Sequence, residues 1–112
     1  MTRFTARFLV DMLRRRIEVA GGFAAILHSG DAQSGAILIV AAHGGSPEIL
    51  YEKRPGWGDP PIWETIVIHA GTESDTVAAY VARRCRADAD LWVVEVDVAN
   101  SPQLIAEWGA MA

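Results

Sequence analysis

The side chains in this chain that could carry acid–base, nucleophilic or metal chemistry are three histidines, one cysteine and a scatter of carboxylates. His28 followed by Asp31 is the nearest local pairing of an imidazole with a carboxylate, the combination used in general acid–base catalysis. His43 and His69 stand apart, and each of the three histidines ends an apolar run, so a plain strand-end role competes with a chemical one. No Cys/His cluster has the spacing of a zinc site, so no metal is expected. Glu95 and Asp97 share one face of "LWVVEVDV". Paired carboxylates there could move protons or hold a cation, or simply mark where that face meets water. Cys85 falls on the apolar stripe of a helical segment and reads as a small core residue. Its neighbours Arg83, Arg84 and Arg86 would activate it only if it were exposed. No G-x-S-x-G or other nucleophile motif occurs.

The stretch "AGGFAAILHSGDAQSGAILIV" (20–40) raises phosphate binding as a second chemistry. A dinucleotide-binding loop needs its glycines after a strand and at the opening of a helix. Here Gly21 and Gly22 follow a helical segment and precede a strand, and no Gly-Lys-Ser/Thr tripeptide completes a P-loop. The glycines therefore read as a helix stop and a hairpin connection, and no cofactor is expected. The third chemistry is recognition. "LYEKRPGWGDPPIWE" (50–64) gathers Tyr51, Lys53, Arg54, Trp57 and Trp63 around a proline-rich loop. Aromatic and Arg side chains are the usual anchors of protein interfaces, so Tyr51, Arg54, Trp57 and Trp63 are the candidate binding residues. The competing reading folds Trp57 or Trp63 back over the sheet edge.

These residues need elements to hold them. Residues 3–20 read as a helix in which Phe4, Phe8 and Met12 run beside Leu9, Leu13 and Ile17 in one wide apolar stripe. Strands are expected at 23–28, 36–43, 48–54 and 62–69, bounded by Gly, Pro, Ser and Asp. A helix follows over 73–88, with Thr72 placed to cap it, then a strand at 91–98. "PQLIAEW" adds a short terminal helical turn. Runs of strands without regular alternation predict an α+β fold: helix, four strands, helix, strand, with an antiparallel sheet and the helices packed on one face. Both faces of "AILIV" are aliphatic, so the second face of the sheet needs a cover, which a second copy in a homodimer would supply.

At 112 residues the chain suits a single domain (core about 3–98, then a tail or short helix over 99–112). A formal net charge of −4 argues against sequence-independent nucleic-acid binding. Eight of the ten basic residues nevertheless lie on the two helices, where a shared face would make a basic layer. The N-terminus resembles a signal peptide only superficially, since Asp11 and three arginines interrupt its apolar stretch. No stretch is long enough for a membrane span, and a lone cysteine suits the cytoplasm.

The "AGGFA…L…GD…G…L" stretch, "LYEKRP", and Asp88-Ala89-Asp90-Leu91-Trp92-Val93-Val94-Glu95 together resemble the alphaproteobacterial domain of unknown function 1491 family, over residues 9 to 105. This chain has Ala89 where members often have proline, and Gln103-Leu104-Ile105 in place of the usual tail. The resemblance implies a compact bacterial cytosolic domain and carries no catalytic residue with it. The residues together predict a small non-enzymatic binding or accessory protein acting through protein–protein contacts. Two alternatives stand beside it: nucleic-acid binding through the helix arginines, and an enzyme using His28 with Asp31, or Glu95.

Overall fold

The computed structural model describes residues 4–44, 49–55, 63–69 and 74–110. Its elements are α1 (Ala6–Val19), β1 (Phe23–His28), β2 (Ile37–Ala42), β3 (Ile49–Pro55), β4 (Trp63–His69), α2 (Ser74–Ala87), β5 (Trp92–Asp97) and α3 (Ser101–Gly109). The class is α+β, as the runs of strands predict.

α1 begins at Thr5, whose hydroxyl accepts the Phe8 N–H at 3.1 Å. The Ala6 and Arg7 N–H groups donate to Gln33 and Ala32 carbonyls at 3.0 Å, so a distant loop completes the cap. The helix ends on Gly21, whose φ of +85° is unfavourable for any residue with a Cβ. The Gly22 N–H then reaches back to the Ile17 carbonyl at 2.9 Å. The buried stripe is Ala6, Leu9, Val10, Leu13 and Ile17. Phe4 and Phe8, expected on it, lie outside and stack on each other with ring centroids 4.9 Å apart.

The strand order is β1-β5-β2-β3-β4. Three neighbouring pairs are antiparallel, but β5 runs parallel to β2, so the sheet is mixed. β1 and β2 do not form the expected hairpin, because β5 lies between them. The "SGDAQSG" loop instead passes round the chain entering β5. The Asp31 N–H donates to the Asp90 carbonyl at 3.0 Å, and the Trp92 indole N–H to the Asp31 carbonyl at 2.7 Å. Gly30 and Gly35 both lie so close to the Asp90 carbonyl oxygen that a Cβ on either would overlap it.

The helices do not share a face. α1 and α3 cover the side carrying Ile37, Ile39, Tyr51, Trp92, Val94 and Val96. α2 lies on the other side, over Leu38, Val40, Leu50, Leu91 and Val93. The reason is topological: β4 and β5 point the same way, so the link between them must cross the sheet, and α2 makes that crossing on the free face. α3 is more than a terminal turn. Its Ile105 and Trp108 are fully buried, and the Trp108 indole N–H donates to the Leu9 carbonyl at 2.7 Å. The core therefore continues past residue 98, into the segment expected to be a tail or short helix.

Gly30→Ala and Gly35→Ala are each expected to destabilise the fold by about 2–3 kcal/mol, through overpacking against a fixed carbonyl. Gly21→Ala is expected to cost only about 1 kcal/mol, the strain of a left-handed conformation. Urea unfolding midpoints of the three variants check the order.

Candidate functional site

β3 carries the densest set of polar side chains near the candidate loop. Along "YEKR" the backbone alternates faces, so Tyr51 and Lys53 point towards α1 and α3 while Glu52 points towards α2. All three side chains are buried, and two of them are charged. Buried charges demand partners.

Glu52 finds its partner in Arg84 of α2, in a two-pronged ion pair with N–O distances of 2.5 and 3.0 Å. Arg84 also donates to the Tyr80 hydroxyl at 2.9 Å. The Glu52 carboxylate, helped by that hydroxyl, raises the Arg84 pKa against the opposing effect of burial. Lys53 donates to the Gly109 carbonyl at the end of α3, at 2.6 Å, with its ammonium 5.4 Å from the centre of the Trp108 ring. Burial draws the Lys53 pKa down to about 8. Burial alone pushes the Tyr51 phenol up.

Of the four candidate binding residues, Tyr51 is 6% exposed and packs in the α1/α3 core, so its ring holds β3 rather than facing a partner. Arg54 and Trp63 belong to the β3–β4 ladder, where Arg54 pairs with Glu64 and Pro55 with Trp63. β2 pairs with β3 only as far as Lys53. These last two pairs therefore form an arm reaching past β2. Trp57 lies outside the described residues.

The acid–base candidates are scattered. The His28 Nδ1–H donates to the Leu91 carbonyl at 2.6 Å. The Asp31 carboxylate accepts the Ser34 and Gln33 backbone N–H groups, which hold its pKa below the usual carboxylate range. Glu95 sits mid-strand opposite Ala25, away from both. A pairing that the sequence conceals lies at the other end of β5: the His43 Nδ1–H donates to Asp97 at 2.9 Å. The two residues are 54 apart in sequence and meet only because β2 and β5 are parallel neighbours. Both are more than half exposed, beside an open cleft of about 390 Å³ that also touches Gly21, Gly22 and Phe23. No group of three or more potential metal ligands occurs among the described residues. Cys85 packs, half-buried, beside the α2 core.

The helix arginines do not form one basic layer. α1 and α2 lie on opposite faces of the sheet, and Arg84 is held by Glu52. Among the described residues no helix is long and apolar enough to cross a membrane.

Comparison with known proteins follows this geometry. A family model described as "Protein of unknown function (DUF1491)" matches residues 4–106. The solution structure of protein Atu0922 from A. tumefaciens is 32% identical, with 92% of each chain covered and a TM-score of 0.78. A crystal structure of a DUF1491 family protein from Caulobacter crescentus CB15 is 31% identical, covering 85% of this chain and 88% of that one, with a TM-score of 0.69. An NMR structure of a DUF1491 family protein from the same organism is 30% identical, covering 89% and 90%, with a TM-score of 0.72. No curated protein matches the chain.

Arg84→Ala is expected to cost about 3–5 kcal/mol, because it strands a buried carboxylate. The double variant Glu52→Leu/Arg84→Leu is expected to recover most of that loss in urea unfolding. Lys53 has a folded pKa of about 8 against 10.5 when solvated, so between those values the unfolded chain binds more protons. Stability is therefore expected to rise from pH 8 to pH 10.5 by up to about 3 kcal/mol, an increment that Lys53→Met abolishes. Unfolding midpoints across that range, wild type against variant, measure it.

Proposed function

The chain belongs to the DUF1491 family, and we propose that it is a non-enzymatic cytoplasmic protein that works by binding a protein partner through the β3–β4 arm. The observation that carries this reading is the arm itself: two residue pairs, Arg54–Glu64 and Pro55–Trp63, extend beyond the last pairing with β2. An extension without a neighbouring strand on the β2 side adds nothing to that part of the sheet. The sequence joining its two strands carries Trp57, and Arg and Trp side chains are the anchors that weigh most in an interface. Tyr51, Glu52 and Lys53 give the arm a rigid root, since each is buried and packed or bonded to the body of the fold. A rigid root lowers the ordering cost of binding. The side chains suited to acid–base catalysis give a weaker basis for function. His28 and Asp31 are bonded to backbone groups, and Glu95 stands apart from both.

The test is a pull-down from a lysate of the source bacterium with wild-type and variant bait. Arg54→Ala and Trp57→Ala are each expected to weaken capture of the partner by about tenfold or more, the loss typical of an interface anchor. Tyr51→Phe, which alters a buried ring, is expected to leave capture intact. Retention of every captured protein by the Arg54→Ala/Trp57→Ala double variant would overturn the reading.

A further inference from the structure

α2 covers only part of its face of the sheet. Val93 near the start of β5 is fully buried, Glu95 is half-buried, and the Asp97 side chain is 57% exposed. All three lie on the α2 side, because Val94 and Val96 between them point to α1. Across the ladder Ala25 faces Glu95 and Phe23 faces Asp97, and Phe23 is 60% exposed. The uncovered corner thus combines a large apolar ring with two carboxylates, of which Asp97 also accepts a hydrogen bond from His43.

The outer surface of α2 has the complementary character. Ala79, Ala82, Arg83 and Arg86 recur at i, i+3, i+4 and i+7, and all four are exposed. No acidic residue occurs between Val77 and Ala87. Arg84 is committed to Glu52, so the stripe offers Arg83 and Arg86 beside small side chains that let another surface approach closely.

We infer that this corner is covered in solution by α2 of a second copy of the chain, in a two-fold dimer. α2 packs on the sheet face that carries the corner, with the stripe on the helix's outward surface. A two-fold axis between them lays each stripe on the other copy's corner, with Arg83 and Arg86 meeting Glu95 and Asp97 twice per dimer. Such an arrangement closes on itself, whereas a head-to-tail use of the same surfaces would polymerise. The corner sits at the β1 edge and the end of β5, diagonally across the sheet from the β3–β4 arm. The inference is therefore independent of the proposed partner site.

Sedimentation equilibrium of the full chain tests it. The wild type is expected to be a dimer at 50 mM salt and to dissociate progressively towards 500 mM, as screening weakens the paired charges. Arg83→Glu/Arg86→Glu and Glu95→Lys/Asp97→Lys should each be monomeric, because each sets like charges against each other at both contacts. An equimolar mixture should regain the dimer, since both contacts then join opposite charges. Circular dichroism and thermal melting confirm that each variant is folded. Should a charge-reversed variant fail to fold, Phe23→Glu serves in its place and should also be monomeric. A monomeric wild type, a dimer indifferent to these substitutions, or folded monomeric variants that fail to recombine would each overturn the inference.

Discussion

The ion pair between Glu52 and Arg84 fixes where α2 can lie. A carboxylate sealed under a helix is tolerable only if the helix brings a cation to it with two good hydrogen bonds. One residue further along β3, Lys53 makes the corresponding demand on the opposite face, which the last turn of α3 meets with a carbonyl. Carbonyls at a helix C-terminus are the negative end of the helix dipole, so an ammonium suits them. β3 is thus secured to one helix above the sheet and to another below it through adjacent residues. Apolar packing alone is tolerant of sliding. These two directional contacts are not, and they set the register of both helices against one strand.

The second constraint is the insertion of β5 between β1 and β2. It places the last strand inside the sheet, second from the β1 edge, so β1 stays detached from the rest until residues 92–97 arrive. Contacts joining residues this far apart in sequence are slow to form. The end of β1 and the 29–35 loop after it hold the entry point of the late strand through three bonds: His28 on the Leu91 carbonyl, Asp31 on the Asp90 carbonyl, and Trp92 on the Asp31 carbonyl. The same loop caps α1 through the Gln33 and Ala32 carbonyls. One short loop therefore couples the first helix, the first two strands and the last strand. That coupling is why its glycines must stay bare.

The α+β class and the order of elements up to β5 were legible from apolar periodicity and the Gly/Pro boundaries, and so was the helix stop at Gly21. Strand order was not. "SGDAQSG" has the composition of a hairpin loop, and nothing local distinguishes turning back onto β1 from passing round a strand 60 residues away. Placing α2 on the second face depended on that order, and so did the encounter of His43 with Asp97. α3 was legible as a short helical turn but not as part of the core, because a short amphipathic segment is recognised by the surface it buries, and that surface belongs to α1 and the sheet. The strongest unread signal was "YEKR" itself, where two charges in the middle of an aliphatic strand already require two partners. Arginine-rich α2 was the natural source of one of them. Tyr51 illustrates the reverse error, since an aromatic next to charged residues looks like an interface anchor until the alternation of β3 turns it inward.

The family signature and the surfaces proposed for recognition therefore lie on different parts of the molecule. The glycine-rich stretch and the Asp-Leu-Trp segment, far apart in sequence, are the two halves of one structural junction around the start of β5. Residues bonded in this way to backbone groups have little freedom left for chemistry, because any reaction at them would disturb the capping of α1 and the entry of β5. What is left for recognition is surface the core does not use: the arm beyond Lys53, and the corner beyond Val93. These lie at opposite ends of the sheet, reached through different strands, so occupation of one leaves the other open. A scaffold fastened so firmly through β3 and the entry of β5 can hold the two proposed surfaces in a fixed mutual orientation, and rigidity of that kind lowers the ordering cost of binding.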